Sequence, residues 1–364
     1  MSQRPVMIYH VPFPLNPAAT SASGIRPVRM RRAFEANGYE VLEVSGRHPE
    51  RREQMRALSK RISSGLKVEF VYSEASTTPT GLGEKITPAT SLTRDVAFLR
   101  FCRKAGVPVG LFYRDIYWQF DEYAERVGQP YTAILRWRYR ADLRGYRQGV
   151  DKIYLPSMRM AAYLPTENQP QALALPPGAE RFDSPSPSTG ISLFYVGGTG
   201  GYYRMQETVR GVGMSSGARL TICTREGEWA ESAPLYADVL NDSTTVVHKS
   251  GSELEELYAD AHIGVLLMEP LEYREFAAPM KLYEYLGHGK PIIATQGSLA
   301  GDFVEENGIG WAIPYGAEPL AELLSRLQAH PEELAAAQQR AREVRQQHTW
   351  EARARQVATD LTER

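Results

Sequence analysis

Residues 276–295 constrain the fold of this chain more than any other segment, because they define a helix, a turn and a strand in succession. Pro279 suits the first turn of a helix, where its missing N–H costs no hydrogen bond. Apolar side chains then recur at helical spacing and predict a buried stripe, formed by Leu282, Tyr285 and Leu286. Gly287 and Gly289 predict the end of the helix, and residues 292–294 predict an apolar strand. A helix that leads into a strand in this way is typical of parallel α/β proteins.

The same helix carries a polar face. Lys281, Glu284 and His288 fall outside the apolar stripe and share a different face. The positive end of a helix attracts anions, and a carboxylate one turn further along can accept hydrogen bonds from hydroxyl groups. The pattern matches a nucleotide diphosphate, with its phosphates at the start of the helix and its ribose on Glu284. An ordinary α/β helix with a solvated polar face fits these residues equally well.

A second candidate phosphate site is the glycine-rich turn that follows a predicted strand at 191–196. Gly197, Gly198 and Gly200 let the backbone approach a diphosphate, so that its N–H groups surround the negative charge. Arg204 is the next basic residue. The turn does not match the dinucleotide fingerprint, because Tyr203 occupies the position of the third glycine. The alternative is a tight turn with a structural role only.

Polar residues also follow a predicted strand at 245–248, at the edge where parallel sheets bind ligands. His248 is predicted there as a neighbour of the nucleotide base, although an ordinary strand end explains it equally well.

In the N-terminal half, two segments point to the site of an acceptor. Gly24 and Arg26 end a loop between the first strand and a helix predicted over 27–37, and Arg26 is expected to meet an acceptor or a phosphate. Arg114 and Asp115 follow a strand predicted over 109–113. Asp115 is expected to orient sugar hydroxyls or to take a proton from the acceptor. The alternatives are arginines that coat the surface, and an internal bond from Asp115 to Arg114 or to the backbone.

The 364 residues are enough for two domains, and the proline-rich stretch 165–190 predicts the boundary between them. Residues 73–93 are predicted to form a long mobile loop at the mouth of the site. Residues 1–180 contain 26 Lys and Arg against 17 Asp and Glu, whereas the rest contains 16 against 26. A basic half of this kind predicts an anionic surface or substrate. The helix predicted over 131–147 alternates aromatic residues with arginines, and either lies on an anionic bilayer or is a plain surface helix.

Other classes of protein find little support. The chain has no apolar run long enough to span a membrane and no apolar core of a signal peptide at its start, so a cytoplasmic protein is expected. Its two cysteines are not spaced for a metal, and neither Asp-x-Asp nor His-Glu-x-x-His occurs, so neither a metal nor another cofactor is expected. No nucleic-acid motif accompanies the basic half, and nucleic acid is not an expected partner.

Residues 279–295 resemble the signature of family 4 glycosyltransferases, and residues 175–183 resemble the segment that opens their donor domain. The resemblance implies an α/β fold of the GT-B type, with two Rossmann-like domains facing a central cleft. It also implies that the last helix crosses back to the N-terminal domain. The expected domains are 1–175 with the returning helix 348–364, and 186–347, joined by a linker at 176–185. The family pattern departs at Phe276, where an acid is expected; Glu272 and Glu275 are close but out of register.

The resemblance implies a metal-independent, retaining hexosyltransferase-type enzyme that uses a UDP- or GDP-sugar. Glu284 would hold the ribose, and Lys281 and Arg204 would neutralise the departing diphosphate. The expected acceptor is a precursor of a cell-surface polysaccharide or a glycolipid, reached at the inner face of the cell membrane. Two alternatives remain: a nucleotide-sugar 2-epimerase on the same fold, with Asp115 and His288 as its titratable groups, and a non-catalytic nucleotide-sugar-binding partner of another transferase.

Overall fold

The computed structural model describes residues 4–19, 21–79, 93–164, 170–201, 203–271, 276 and 278–363. The chain divides into two compact units: Met1–Pro176 with Trp350–Arg364, and Pro177–Thr349. Most of the loop predicted over 73–93 lies outside the described residues, as do Glu272 and Glu275. No helix within the described ranges is long and apolar enough to cross a membrane.

The N-terminal unit contains a six-stranded parallel sheet in the order β2-β1-β3-β4-β5-β6. Its strands β1 to β6 are Val6–His10, Glu40–Val44, Phe70–Glu74, Val109–Phe112, Lys152–Leu155 and Gln171–Ala174. Its helices α1 to α5 are Ala22–Ala36, His48–Ser63, Arg94–Lys104, Asp121–Val127 and Tyr131–Gly149. Short 3-10 helices cover Tyr117–Gln119 and Met158–Tyr163. Strands β1, β3 and β4 are buried along their whole length, including the polar residues His10, Ser73 and Glu74 at the carboxyl ends of β1 and β3.

The C-terminal unit repeats this architecture with the strand order β12-β11-β10-β7-β8-β9, again all parallel. Strands β7 to β12 are Ile191–Val196, Ala218–Cys223, Thr244–Val247, Ile263–Leu266, Ile292–Thr295 and Gly310–Ile313. Helices α6 to α12 are Gln206–Gly213, Glu226–Ser232, Leu254–Ala259, Met280–Gly287, Leu299–Asn307, Ala317–Ala329 and Pro331–Val344. The 3-10 helices are Ala233–Tyr236, Gly251–Glu253 and Arg345–His348.

The last helix, α13 (Trp350–Thr362), packs on α1, β3 and β4. It therefore belongs to the N-terminal unit, and the expected return of the C-terminal helix is confirmed. Trp350 begins this helix and is buried. Its indole ring lies 5.9 Å from the guanidinium carbon of Arg26.

Helix α1 begins five residues before the predicted start at Pro27, so that prediction was wrong. Pro27 lies inside the helix and has no N–H to donate to the carbonyl of Ser23, four residues back. The guanidinium of Arg114 donates to that carbonyl instead. The hydroxyl of Tyr9 donates to the carbonyl of Pro27 at 2.7 Å. Hydrogen bonds from other segments therefore let the helix run through its proline.

Helix α9 follows the sequence prediction closely. Leu282, Tyr285 and Leu286 are fully buried, which confirms the apolar stripe. The helix ends at Gly287, and Gly289 adopts φ +66°, a left-handed conformation that favours glycine.

The placement of His288 on a polar face was wrong. Only 4% of this residue is exposed, and its ring is stacked between Tyr258 at 3.7 Å and Phe182 at 4.5 Å, measured between ring centroids. Its Nδ1 atom lies 2.6 Å from Ser184 Oγ. Burial lowers the pKa of His288 from 6.5 to about 3, and the nearby charges of Lys290 and Arg345 act in the same direction. His288 is therefore a neutral packing residue.

We predict that His288 makes stability depend on pH. The unfolded chain binds a proton at this histidine near pH 6.5, whereas the folded protein binds it near pH 3. The contribution of His288 to the free energy of unfolding is therefore complete above pH 6.5 and is lost as the pH falls towards 3. The loss amounts to about 2 kcal/mol at pH 5. Urea unfolding at pH 7 and pH 5 should show this loss in the wild type and not in His288→Phe, which keeps an aromatic ring in the stack. The exposed His330 supplies the control His330→Gln, which should behave as the wild type. A loss of equal size in His288→Phe would contradict the prediction.

Candidate functional site

The strand order of the C-terminal unit identifies where a ligand would bind. Strand β7 is followed by β8 and β9 on one side, and the chain then crosses to β10 on its other side. The loops that leave β7 and β10 therefore diverge at this point, and open α/β sheets bind their ligands at the carboxyl edge beside such a point. The loop after β7 is the glycine-rich turn, and the segment after β10 leads to α9.

Lys281 of α9 lies against the glycine-rich turn, although the two are 84 residues apart in sequence. A side chain at Gly197, which has φ +140°, would collide with the Lys281 amine. The amine donates to the hydroxyl of Tyr195 at 2.6 Å and lies 4.3 Å from the ring centroids of both Tyr195 and Tyr203. Cation–π contacts of this kind hold an ammonium group in place. The structure thus brings the two predicted phosphate-binding elements together.

The glycine turn itself differs in one respect from the prediction. The N–H of Gly197 donates to the carbonyl of Cys223 at 2.9 Å, which ties the end of β7 to the end of β8. This N–H is therefore occupied in the fold. The hydroxyl of Tyr195 donates to the carbonyl of Gly198 and fixes the turn from within. Thr199 is buried, with its hydroxyl 2.6 Å from Ser232 Oγ, and Gly200 follows it.

Glu284 lies one helical turn beyond Lys281 and is partly exposed. Burial of its carboxyl raises the pKa, and the positive charge of Lys281 opposes that effect. The amine of Lys281 and the carboxyl group of Glu284 therefore lie along one side of α9, as the sequence predicted for these two residues.

His248 follows β9, two strands away from β7 in the sheet. Its Nδ1 atom lies 2.8 Å from the carbonyl oxygen of Thr224, which can only accept, so Nδ1 carries the hydrogen. This bond fixes the ring at the carboxyl edge, beside the end of β8. Contact with a nucleotide base stays a prediction.

Arg204 forms an exposed ion pair that the sequence did not suggest. Its Nη1 atom lies 3.4 Å from Oε2 of Glu269, just beyond β10, and its carbonyl accepts the N–H of the same residue at 3.0 Å. Glu228 is a second acid that sequence reasoning missed, since a side chain at Gly198 would collide with its carboxylate. No motif marked either acid, because each is defined only by the folding of the loops. Phe276, at the position of the expected acid, is buried.

In the N-terminal unit, two predicted positions need correction. Gly24 lies in the first turn of α1 rather than in a loop, packed against Ala19. Arg26 is buried, with its guanidinium 3.5 Å above the ring centroid of Phe112 and its Nε atom 3.5 Å from Glu74. It does not coat the surface, because the helix turns it inward towards the ends of β3 and β4.

Arg114 and Asp115, which follow β4 after Tyr113, have separate partners. Arg114 Nη2 lies 3.2 Å from Oε2 of Glu74. Asp115 Oδ1 accepts the N–H of Tyr117 at 2.6 Å, so one of the alternatives, a bond from Asp115 to the backbone, is present. A catalytic role for Asp115 stays a prediction.

A buried polar network that sequence reasoning missed lies beside these residues. His10 is 2.8 Å from Ser73 Oγ through Nδ1 and 2.9 Å from Asp95 through Nε2, and Arg51 pairs with Asp95 at 3.0 Å. Burial alone would raise the pKa of Asp95, but His10 and Arg51 outweigh it and hold that pKa well below its usual range. The four residues come from separate elements, so no local spacing marked them. Among the described residues, no group of three or more His, Cys, Asp or Glu could hold a metal ion.

Comparisons with known proteins agree with this architecture. Residues 204–359, less than half of the chain, match the family described as glycosyl transferase-like. No curated protein matches the chain. Membership of family 4 in particular stays a prediction.

Several solved structures are similar over nearly the whole chain, and three of them illustrate the likeness. HepE from Anabaena, in complex with UDP-glucose, has a TM-score of 0.62 and 9% identity, covering 98% of this chain and 100% of its own. A glycosyltransferase from Rickettsia africae has a TM-score of 0.60 and 12% identity, covering both chains fully. WaaG, a glycosyltransferase involved in lipopolysaccharide biosynthesis, has a TM-score of 0.58 and 13% identity, with coverage of 98% and 100%. With the two six-stranded parallel sheets, these similarities show that the chain has the two-domain α/β fold called GT-B.

Proposed function

We propose that this protein is a glycosyltransferase that binds a nucleotide-diphosphate sugar at the carboxyl edge of its C-terminal sheet. The observation that carries the proposal is the contact of the Lys281 amine with the glycine-rich turn, with Glu284 one helical turn away. The glycosyl transferase-like match includes Arg204, Lys281 and Glu284. HepE, which shares the fold, was solved with UDP and with UDP-glucose.

In this proposal the residues act on a diphosphate that gains negative charge as the sugar leaves. Lys281 and the first N–H groups of α9 face that charge, and they need no reorganisation because the tyrosine contacts already fix the amine. Arg204 joins them by exchanging its exposed pair with Glu269 for the phosphate. Glu284 accepts hydrogen bonds from the ribose hydroxyls. Retention of configuration and independence of metal follow from the resemblance to family 4 and are part of the proposal.

The acceptor is proposed to bind at the carboxyl edge of the N-terminal sheet, where Asp115 would orient its hydroxyl groups or take its proton. A precursor of a cell-surface polysaccharide or a glycolipid would suit the basic N-terminal half.

The rival functions are less well supported. A 2-epimerase needs groups that exchange protons with the sugar, and His288 is buried in an aromatic stack with a pKa of about 3. A non-catalytic binding partner remains a rival because a buried phenylalanine, Phe276, takes the place of the acid that family 4 enzymes carry.

We predict that incubation with UDP- and GDP-sugars will give transfer or slow hydrolysis with at least one donor, in the presence of excess EDTA. Product analysis by mass spectrometry and NMR measures the reaction and the anomeric configuration. Isomerisation of the donor would support the epimerase, and binding without turnover would support the non-catalytic partner. Activity that EDTA removes and manganese restores would contradict metal independence.

We predict that Glu284→Ala weakens the binding of UDP by about 1–3 kcal/mol, because the ribose hydroxyls lose a charged acceptor. The affinity of Glu284→Gln for UDP, in which one acceptor oxygen is kept, should lie between those of Glu284→Ala and the wild type. Lys281→Ala should lower kcat more than affinity, because the charge it meets develops as the sugar leaves. Arg219→Ala, an exposed change on β8 of the same unit, is the control. Calorimetry that finds the affinity of Glu284→Ala unchanged would refute this site.

The surface of α5 supports contact with a membrane. Tyr131, Ile134 and Trp137 are 66%, 55% and 58% exposed on consecutive turns of the helix. Arg140 and Arg144 are exposed further along the helix. Aromatic and aliphatic side chains flanked by arginines suit the interface of an anionic bilayer such as the inner face of the cell membrane. Arg136 is not part of this surface, because it donates to the carbonyls of residues 118–120.

We predict that the protein sediments with anionic vesicles and not with neutral ones, and that half-molar salt weakens the binding. Each arginine at the surface contributes about 1 kcal/mol, so Arg140→Glu with Arg144→Glu should abolish sedimentation. Trp137→Ala should weaken it as well, because the ring enters the interface. Leu235→Ala removes an equally exposed side chain from the C-terminal unit and should have no effect. Equal sedimentation with both kinds of vesicle would contradict the proposal.

A further inference from the structure

A buried ionic cluster stands at the carboxyl edge of the N-terminal sheet, and we call it the Glu74 cluster. Its members are Tyr9, Arg26, Tyr72, Glu74 and Arg114. Oε1 of Glu74 lies 3.1 Å from the hydroxyl of Tyr72, 3.3 Å from that of Tyr9 and 3.5 Å from Arg26 Nε. Oε2 lies 3.2 Å from Arg114 Nη2. Glu74 itself is fully buried.

The strand order places this cluster where a ligand is expected. In the N-terminal sheet β1 lies between β2 and β3, so the chain leaves β1 in one direction and β3 in the other. Crevices at such points hold the ligands of open α/β sheets. Glu74 ends β3, and Arg114 follows the end of β4.

The cluster holds more positive than negative charge. Two guanidinium groups, of Arg26 and Arg114, share the single carboxylate of Glu74. Burial and the charge of Glu74 raise the pKa of both phenols well above the ordinary value, so Tyr9 and Tyr72 add no negative charge. The adjacent pair of Arg51 and Asp95 is balanced by itself. Among the described residues, one positive charge of this mostly buried cluster is therefore left without an opposite charge, which is costly for a fold.

The guanidinium groups also retain unused donors. Nε and Nη1 of Arg26 and Nε of Arg114 are buried and make no hydrogen bond with any described residue. The side chain of Arg26 is 6% exposed and that of Arg114 is 11% exposed, so Arg114 is the member that reaches the surface. Buried donors without acceptors are rare in folded proteins and call for an acceptor supplied from elsewhere.

We propose that the Glu74 cluster is a binding site for an oxyanion, a phosphoryl or carboxylate group carried by the acceptor. That the anion belongs to an acceptor rests on the proposed function, whereas the anion site itself does not. Arg114 contacts the anion through the remaining N–H groups of its planar fork. Arg26 lies behind it as a positioning residue that adds charge. Glu74 holds both arginines and sets how much positive charge remains for the ligand.

The experiment uses inorganic phosphate and acetate as probes, titrated by calorimetry into the full-length protein at constant ionic strength. All variants carry Lys281→Ala, which weakens any binding of phosphate at the proposed donor site. Phosphate should bind, and Arg114→Gln should weaken it at least tenfold, because the net charge of the cluster falls to zero. Glu74→Gln should strengthen it several-fold, because the competing carboxylate is gone. Arg32→Gln, an exposed change on the same helix as Arg26, should leave it unchanged.

The opposite signs of the two main variants separate a ligand site from a structural cluster. If Glu74 served stability alone, Glu74→Gln would weaken binding or leave it unchanged, and either result would overturn the proposal. No phosphate binding in the Lys281→Ala protein would also overturn it. If circular dichroism shows that Glu74→Gln is unfolded, Arg114→Lys serves as the second variant. A loss of phosphate affinity smaller than that of Arg114→Gln supports the site, and no loss of affinity in either variant refutes it. Tighter binding of phosphate than of acetate identifies a phosphoryl group, and the reverse identifies a carboxylate. Failure of the wild type to bind UDP would refute the proposed donor site and leave this result standing.

Discussion

The close packing of α9 on the C-terminal sheet is the contact on which the candidate donor site depends. Gly264 in β10 has no side chain, and any side chain there would collide with the ring of Tyr285. The ring therefore lies directly on the strand, and its hydroxyl accepts the N–H of Val196 at 3.2 Å. Val196 is the last residue of β7, where the glycine-rich turn begins. Tyr285 thus connects the helix that carries Lys281 and Glu284 to the start of the glycine-rich turn, and this close packing fixes the position of the helix relative to the turn.

The sequence was most informative where a pattern is local. The strand Ile191–Val196 was predicted with its observed bounds, and the stripe of α9 and its glycine ending are as expected. Periodicity of this kind reports which face of an element is buried, because burial repeats with the geometry of the backbone. It also located Lys281 and Glu284, since both lie within one helix.

Prediction was poorest where a residue's partner comes from a distant segment. The helical spacing that placed His288 on a polar face could not reveal that Phe182 and Tyr258 enclose its ring. The sequence allowed Arg26 to be a surface arginine, because its partner Glu74 is 48 residues away. The start of α1 was misjudged because a proline usually marks the start of a helix, whereas here Arg114, from a distant segment, satisfies the carbonyl that Pro27 leaves without a donor. The partners of these side chains therefore could not be predicted from the local sequence.

Because α13 belongs to the N-terminal unit, it affects the order in which the two units complete their cores during synthesis. The C-terminal unit is one continuous segment, Pro177–Thr349, whereas the N-terminal unit takes its last helix from Trp350 onwards. Trp350, Ala354 and Leu361 are buried in that unit, which therefore has an incomplete core until the ribosome has added them. The half of the chain that is synthesised first completes its core last. A nascent chain exposes the apolar surfaces of α1, β3 and β4 throughout the synthesis of the second unit, and this interval is when chaperones would be needed most.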